Sequence, residues 1–177
     1  MITFLIGFMG CGKTTLCRAL NRITGIEVAD LDELIEQEAQ CSIRAFWQKH
    51  GEAKFRELEQ ATLSRIAESD KTMIVACGGG TPCFGENMEL MNRSGRTVWL
   101  QATHPVLLSR LLAAREQRPL IAAMDDAELS RYIAHELERR EPHYAKATHR
   151  FNTDRLEDER QIEQTAALFI KKFLEPD

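Results

Sequence analysis

A glycine-rich segment near the start of the chain has residue types and spacing that suit phosphate binding. Gly7 and Gly12 are separated by four residues and followed by Lys13 and Thr14, which is the pattern of a phosphate-binding loop. Glycines let backbone N–H groups wrap a phosphate chain, and a helix starting at the lysine directs its positive end at the same anion. The lysine can reach the β- and γ-phosphates and the threonine hydroxyl can ligate Mg²⁺. We predict nucleotide binding by Gly10, Cys11, Gly12, Lys13, Thr14 and Thr15.

Two aspartates and an arginine are the next candidates for chemistry. Asp30 and Asp32 follow the second strand candidate, residues 26–29, and acids two residues apart in an extended chain point the same way. One can hold waters of a Mg²⁺ shell while the other meets a substrate hydroxyl; the alternative is that Asp32 only caps the next helix. Arg56 follows Phe55, and this pair suits a ring that bears a carboxylate. The alternative for Arg56 is an ordinary surface charge.

Two further segments have unusual backbone chemistry. Gly78, Gly79 and Gly80 form a run that frees backbone amides and permits very close approach of a ligand. Arg118 lies after a helical pattern that is broken at Pro119. Position alone would make Arg118 a solvated loop residue.

Alternating strands and helices must position these residues. The strand candidates are 3–6, 26–29, 72–76, 97–101 and 149–152. Helical patterns occupy about 13–23, 32–39, 43–48, 52–68, 86–93, 104–114, 126–140 and 158–174. This alternation predicts an α/β fold with a five-stranded, mainly parallel sheet flanked by helices, and an active site at the carboxyl ends of the strands. No repeat or linker is visible, so we expect a single domain over residues 1–177.

Composition narrows the function classes. The chain has 177 residues, 44% of them hydrophobic and 28% charged, with a net charge of −4, which argues against a nucleic-acid surface. No apolar stretch has the length of a membrane span, and residues 1–9 lack the basic start of a signal peptide. We therefore expect a cytoplasmic protein with no nucleic-acid or membrane partner. The five cysteines form no Cys-x-x-Cys pair, so we expect reduced thiols, with Cys11 partly exposed in the loop.

These motifs, in this order, resemble the shikimate kinase family over essentially the whole chain. The phosphate-binding loop alone is shared by many families, whereas its combination with the aspartate pair, Phe-Arg and the triple glycine is far more specific. The chain departs from the family pattern in two places. Thr14 replaces the serine that is common in the family, and residues 120–126, in the expected lid, are not rich in glycine. The matching stretches are Gly7–Thr14, Asp30-x-Asp32, Phe55-Arg56, Gly78-Gly79-Gly80, Arg118-Pro119-Leu120 and Arg139-Arg140-Glu141-Pro142-His143-Tyr144.

The resemblance implies a P-loop NTPase fold with a substrate-binding segment at about 31–60 and a lid at about 112–125. It implies phosphorylation of shikimate to shikimate 3-phosphate by ATP, with Mg²⁺ as the cofactor. We also expect the protein to be a monomer. Lys13 and Arg118 would stabilise the phosphoryl group in transfer, with Arg118 also contacting the nucleotide. Thr14 would ligate the metal directly and Asp30 through water.

The resemblance also assigns the substrate contacts. Asp32 would orient or deprotonate the attacking hydroxyl, and the carboxylate of shikimate would lie between Arg56 and Arg140. Trp47 falls where the family places an aromatic side chain in the substrate pocket, with core packing as an equal alternative. The full set expected to contact shikimate is Asp32, Arg56, Gly78, Gly79, Gly80 and Arg140.

Two other functions stay open at this point. A kinase of another polyol or sugar acid, such as gluconate, would also bind a carboxylate and hydroxyls, but it is not expected to present this Phe-Arg, triple-glycine and Arg140 set. A nucleotide-dependent switch without a small-molecule acceptor would leave the aspartate pair and the two arginines without a role. Turnover that depends on shikimate discriminates among the three.

Overall fold

The computed structural model describes residues 1–175, and at its centre is a five-stranded sheet. All strand pairings in it are parallel, and the strand order is β2-β3-β1-β4-β5. The α/β class and the five strands predicted from the sequence are confirmed. The strands are β1 (Ile2–Ile6), β2 (Glu27–Asp30), β3 (Met73–Ala76), β4 (Gly95–Gln101) and β5 (His149–Asn152).

Helices connect the strands as the alternating pattern predicts. Short 3-10 helices at Thr81–Cys83 and Arg115–Gln117 were not predicted. In the described part of the chain, no helix is both long enough and apolar enough to cross a membrane. The α-helices are α1 (Lys13–Thr24), α2 (Leu31–Ala39), α3 (Ile43–Ala67), α4 (Asn87–Ser94), α5 (His104–Ala113), α6 (Asp126–Tyr144) and α7 (Glu159–Phe173).

Two helices differ from the sequence pattern in an informative way. Helix α3 contains Gly51 at φ 81° and ψ 171°, which is not helical, so the two predicted helices are present and meet at a kink. Helix α6 continues one turn past the predicted end at residue 140, with Pro142 inside it. Its last residue, Tyr144, is fully buried, and this packing holds the final turn in place.

The sheet register brings the predicted functional segments to one edge. The central strand β1 is buried along its whole length and pairs with β3 and β4, with Leu5 opposite both Ala76 and Val98. Because parallel strands end at the same edge, the loops that follow β1, β2 and β3 converge there. These loops contain the glycine-rich segment, the aspartate pair and the triple glycine.

Candidate functional site

A cleft of about 390 Å³ opens at the carboxyl ends of β1, β2 and β3. Its lining includes residues of the phosphate-binding loop, both members of the aspartate pair, and the first two glycines of the triple-glycine run. Ten of the predicted site residues line it together: Gly10, Gly12, Lys13, Thr14, Thr15, Asp30, Asp32, Gly78, Gly79 and Arg118.

The phosphate-binding loop is folded tightly around its lysine. Gly12 has φ +98° and a Cβ there would overlap Leu156, so only glycine fits. The Lys13 ammonium donates to the carbonyl oxygens of Gly7 at 2.7 Å and of Phe8 at 3.1 Å. Cys11 is only 1% exposed, so the expectation of partial exposure is wrong: the loop closes over its thiol, 3.7 Å from the ammonium.

The aspartate pair reaches the cleft by a different geometry from the one expected. Helix α2 begins at Leu31, so Asp30 ends a strand and Asp32 lies in the first helical turn. Asp30 is the cap, because its Oδ1 accepts a hydrogen bond from the Asp32 backbone N–H at 3.0 Å. The interpretation of Asp32 as the cap is therefore wrong. The carboxylate of Asp32 therefore faces the cleft.

The carboxyl group of Asp32 has a strongly perturbed acidity. Burial, followed by the negative charges of Asp30, Glu59 and Glu36, raises its pKa from 3.8 to about 6, against a smaller opposing effect of Lys13. A carboxyl with a pKa close to neutrality, beside a phosphate-binding loop, is suited to accept a proton from a substrate hydroxyl.

Each glycine of the triple-glycine run lies beneath one charged side chain. A Cβ on Gly78 would be 2.7 Å from Asp32 Oδ1. A Cβ on Gly79 would be 3.2 Å from Arg140 Nη1, and one on Gly80 would be 3.2 Å from Arg56 Nη2. Because the glycines have no side chains, three charged groups can lie close to the backbone: the carboxylate of Asp32 at Gly78, and the guanidinium groups of Arg140 and Arg56 at the next two glycines.

Arg56 is held by carboxylates at its edges and by an aromatic ring at its face. Its Nη1 donates to Glu59 Oε2 at 2.8 Å, and Glu59 is itself 1% exposed and accepts from Thr81 at 2.6 Å. Its Nε and Nη2 make longer contacts, of 3.4 and 3.3 Å, to the half-exposed Glu52. Its Cζ lies 3.6 Å from the ring centroid of Phe84.

Arg140 has a comparable setting on helix α6. Its Nη2 donates to Glu136 Oε2 at 2.6 Å, and its guanidinium lies 5.4 Å from the Phe8 ring. Hydrogen bonds from Arg139, with Arg140 contributing, lower the pKa of Glu136, so this carboxyl stays ionised. Arg140 Nε is buried and has no hydrogen-bond partner in the described chain. On the same helix, the Tyr144 hydroxyl donates to the Gly79 carbonyl at 2.5 Å.

Sequence reasoning did not find Glu59, Glu136 or Phe84. The two glutamates lie three residues after Arg56 and four before Arg140, which is the spacing of ion pairs on one helix face. That spacing could have identified the glutamates as partners of the arginines, but nothing in the sequence indicated that the glutamates are buried. Phe84 offered no signal, because its contact with Arg56 joins two separate elements.

The segment after helix α5 combines an exposed arginine with a buried anchor. Arg118 is exposed at the mouth of the cleft, whereas Ile121 is fully buried. Arg115 donates to the Met124 carbonyl at 3.1 Å and to Asp126 at 2.8 Å. The segment is therefore fastened at Ile121 and Arg115, while Arg118 projects between them.

The oxygen donors of the cleft fit a hard divalent cation. The hydroxyl of Thr14 at the start of α1 and the carboxylates of Asp30 and Asp32 line the same space. Burial and, second to it, the negative charge of Asp30 raise the pKa of Asp32, so a cation between the two carboxylates would be favoured. A Mg²⁺ ion prefers oxygen ligands of this kind and keeps several of its waters. The side chains present therefore fit the metal predicted from the sequence.

Comparisons with known proteins agree on one family. The family model described as shikimate kinase matches residues 9–171. A shikimate kinase from Phocaeicola vulgatus is 45% identical over 169 residues, with 96% of each chain covered. One from Bacteroides thetaiotaomicron is 44% identical over 162 residues, with 92% of each chain covered.

Solved structures show the same similarity in three dimensions. The crystal structure of a shikimate kinase from Bacteroides thetaiotaomicron matches with a TM-score of 0.94 at 40% identity, over 99% of both chains. A shikimate kinase from Acinetobacter baumannii in complex with shikimate matches with a TM-score of 0.81 at 26% identity. That match covers 98% of this chain and 92% of the other.

Proposed function

The chain belongs to the shikimate kinase family, and we propose that it transfers the γ-phosphoryl group of ATP to the 3-hydroxyl of shikimate. The observation that carries this proposal is the triple-glycine run, which presents Asp32, Arg140 and Arg56 beside the phosphate-binding cleft. One carboxylate and two guanidinium groups suit an acceptor that has hydroxyls at one end and a carboxylate at the other. The switch alternative leaves this arrangement without a role, and the similarity to shikimate kinases over nearly the whole chain favours shikimate over gluconate as the acceptor.

Residues of the loop take the nucleotide part of the reaction. Backbone N–H groups at Gly10, Cys11 and Gly12, with Lys13 and Thr15 at the start of helix α1, bind the phosphates of ATP. Lys13 leaves the loop carbonyls to contact the β- and γ-phosphates. Thr14, with Asp30 through water, would hold Mg²⁺, which when bound would neutralise charge on the phosphates.

The acceptor part of the reaction falls to the residues over the triple glycine. Arg56 and Arg140 hold the carboxylate of shikimate, and Gly78, Gly79 and Gly80 allow the ring to approach the backbone. The 3-hydroxyl oxygen attacks the γ-phosphorus as the bond to the β–γ bridging oxygen breaks, and ADP leaves. Asp32 orients the hydroxyl and accepts its proton, while Arg118 and Lys13 stabilise the phosphoryl group in transfer.

We also propose how the chain is divided and where it works. Residues 31–60 form the substrate-binding segment and residues 112–125 form the lid of a single domain, with both parts of the cleft supplied by one chain. The protein acts as a cytoplasmic monomer without nucleic-acid or membrane partners, in keeping with its net charge of −4. Light scattering during size-exclusion chromatography tests the monomer, and a mass near twice 20.2 kDa would contradict it.

Release of ADP by the purified protein tests the proposed function. Parallel assays with shikimate, quinate and gluconate, each with ATP and Mg²⁺, should give turnover with shikimate at least about tenfold above the others, because one lost charge-assisted contact costs about that factor. Comparable turnover with gluconate would support the sugar-acid alternative. Turnover independent of any acceptor would support the switch.

Removal of either acceptor-binding arginine should weaken shikimate binding selectively. Arg56→Met and Arg140→Met each lose a charge-assisted hydrogen bond, so we expect KM for shikimate to rise roughly 10- to 150-fold. KM for ATP should change less than about twofold. Lysine should substitute poorly at either position, because its ammonium group does not reproduce the planar pair of N–H donors that a guanidinium presents to a carboxylate. Steady-state kinetics with each substrate varied in turn measure these effects.

Arg139→Met is the matched control for this pair of variants. Arg139 shares Glu136 with Arg140, but its side chain is 58% exposed, and it is not among the contacts of the glycine run. We expect its KM for shikimate to stay within about twofold of the wild-type value. Loss of ATP affinity in Arg56→Met or Arg140→Met would show that the carboxylate assignment is wrong.

Loss of the lid arginine should act on the rate rather than on binding. Arg118→Ala removes a cation that meets charge developing only during transfer, so kcat should fall at least about tenfold with modest changes in both KM values. Gln117→Ala is the neighbouring control and should keep the wild-type rate. Hydrogen exchange of residues 115–125 should slow far more with both ligands than with one. Normal turnover together with unchanged exchange would make Arg118 an ordinary surface residue.

A further inference from the structure

The ring of Phe84 makes a closer contact with Arg56 than any other aromatic side chain described. The Arg56 Cζ is 3.6 Å from the Phe84 centroid, compared with 5.0 Å for Phe55 and 5.6 Å for Trp47. At 3.6 Å the guanidinium carbon lies over the face of the ring at contact distance, well within the range of a cation–π interaction. Phe84 comes from the segment after the triple glycine, so this contact joins that segment to helix α3.

The backbone on both sides of Phe84 is fixed by hydrogen bonds. The Cys83 N–H donates to the Gly80 carbonyl at 2.9 Å, and the Asn87 N–H donates to the Phe84 carbonyl at 3.2 Å. The side chain of Asn87 is buried and donates to the Thr81 carbonyl at 3.0 Å. The ring is therefore carried by a rigid segment that also contains Gly80, above which Arg56 lies.

The contacts of Arg56 divide into two kinds. Glu59 holds Nη1 from a buried position at 2.8 Å. The edge formed by Nε and Nη2 has only the long contacts to the half-exposed Glu52. That edge has the geometry for bidentate binding of a carboxylate. A substrate carboxylate can therefore replace Glu52, and Arg56 then keeps two fixed contacts, Glu59 at its inner edge and Phe84 at its face.

We propose that Phe84 is a positioning residue, which holds the guanidinium of Arg56 in the plane where its Nε–Nη2 edge meets the carboxylate of the acceptor. This inference rests on the function proposed above. Without the ring, the arginine keeps its pairing with Glu59 but can rotate about it. Each binding event then includes the cost of ordering the side chain.

Substitutions that keep or remove the ring test the proposal in the full-length protein. Phe84→Leu should raise KM for shikimate about 3- to 30-fold, with kcat and KM for ATP changed less than about twofold. Phe84→Tyr keeps the ring and should restore KM to within about twofold of wild type. In an Arg56→Met background, Phe84→Leu should add less than about a further twofold, because the residue acts through Arg56.

An NMR measurement checks the contact between Arg56 and the Phe84 ring without using enzyme activity. The Nε–Hε signal of Arg56, assigned by its disappearance in Arg56→Met, should move when Phe84→Leu removes the shielding ring and should stay in place in Phe84→Tyr. An unmoved signal in Phe84→Leu overturns this contact.

The kinetic outcomes separate this inference from the proposed function. An equal rise in KM in the wild-type and Arg56→Met backgrounds overturns the inference, because Phe84 would then act independently of Arg56. No rise in Phe84→Leu overturns it as well. If Arg56→Met itself leaves KM for shikimate unchanged, the proposed role of Arg56 fails, even where NMR shows the contact between Arg56 and Phe84.

Discussion

Replacing Lys13 with methionine is expected to lower kcat by about 10² to 10³, since electrostatic groups aimed at developing charge have effects of this size. The ammonium already lies within the loop, on the carbonyls of Gly7 and Phe8, and needs only a short movement to reach a phosphate. Methionine keeps the aliphatic stem and removes the charge. The measurement is steady-state ADP release at saturating ATP and shikimate.

The fold should survive this change. The shape of the loop depends on glycines such as Gly12 at φ +98°, and Lys13 is the first residue of helix α1. Circular dichroism and the thermal midpoint should therefore stay close to wild type. Lys54→Met, at an exposed lysine paired with Glu57, is the control and should keep full activity. Near-normal turnover of a folded Lys13→Met protein would contradict the role given to this lysine.

Replacing Asp32 with asparagine is expected to lower kcat by roughly 10² to 10⁴, the usual contribution of a general base. The wild-type kcat/KM should fall as the pH drops below about 6, because the pKa of Asp32 is raised to about 6 and the protonated carboxyl cannot accept a proton. The asparagine variant should lose this dependence. A pH profile between about 5 and 8 for both proteins measures it.

The same substitution should make the protein more stable. Folding raises the pKa of Asp32 from 3.8 to about 6, so the folded state favours the protonated form, and stability from this group is lost as the pH rises through 6. The difference amounts to at most about 3 kcal/mol at pH 8. Asparagine removes this cost, and the thermal midpoint should rise by roughly 5 °C at pH 8.

Comparison across pH is the internal control for this stability effect. At pH 4 the wild-type carboxyl is protonated in the folded state, so the gain should nearly vanish. Glu33→Gln, at the next residue of helix α2 and exposed, should leave both rate and stability near wild type. A midpoint that falls at pH 8 would show that the Asp32 carboxylate stabilises the fold, and would contradict its burial as the cause of the raised pKa.

Local patterns made most of the fold predictable. Apolar runs and helical spacing located five strands and the main helices, and strand–helix alternation fixed the parallel sheet. The loop residues, aspartates and glycines then had to converge at one edge. The extended-chain argument for Asp30 and Asp32 failed because the Asp30 cap starts helix α2 immediately. A capping interaction of that kind is hard to separate from a functional carboxylate in sequence alone.

The parts of the site that could not be predicted depend on contacts between distant elements. Glu59 and Glu136 lie on the same helices as the arginines they hold, yet their burial arises only when other elements pack over them. Phe84, in the segment after the triple glycine, contacts Arg56 on helix α3. The anchoring of the lid segment by Ile121 also depends on tertiary packing. Sequence patterns report local geometry, and these contacts are not local.

The triple-glycine run has a consequence for how this enzyme can evolve. A Cβ added at Gly78 would lie 2.7 Å from the Asp32 carboxylate, and one added at Gly79 or Gly80 would lie 3.2 Å from the guanidinium of Arg140 or Arg56, so the charged side chain would have to shift in each case. In the proposed acceptor site, a substitution in this row of glycines would therefore displace a binding or catalytic group before it altered substrate preference. New acceptors would be explored instead around Trp47, which is 37% exposed and whose ring centroid lies 5.6 Å from the Arg56 Cζ. Selection for altered substrate preference should leave its substitutions there, above an unchanged row of glycines.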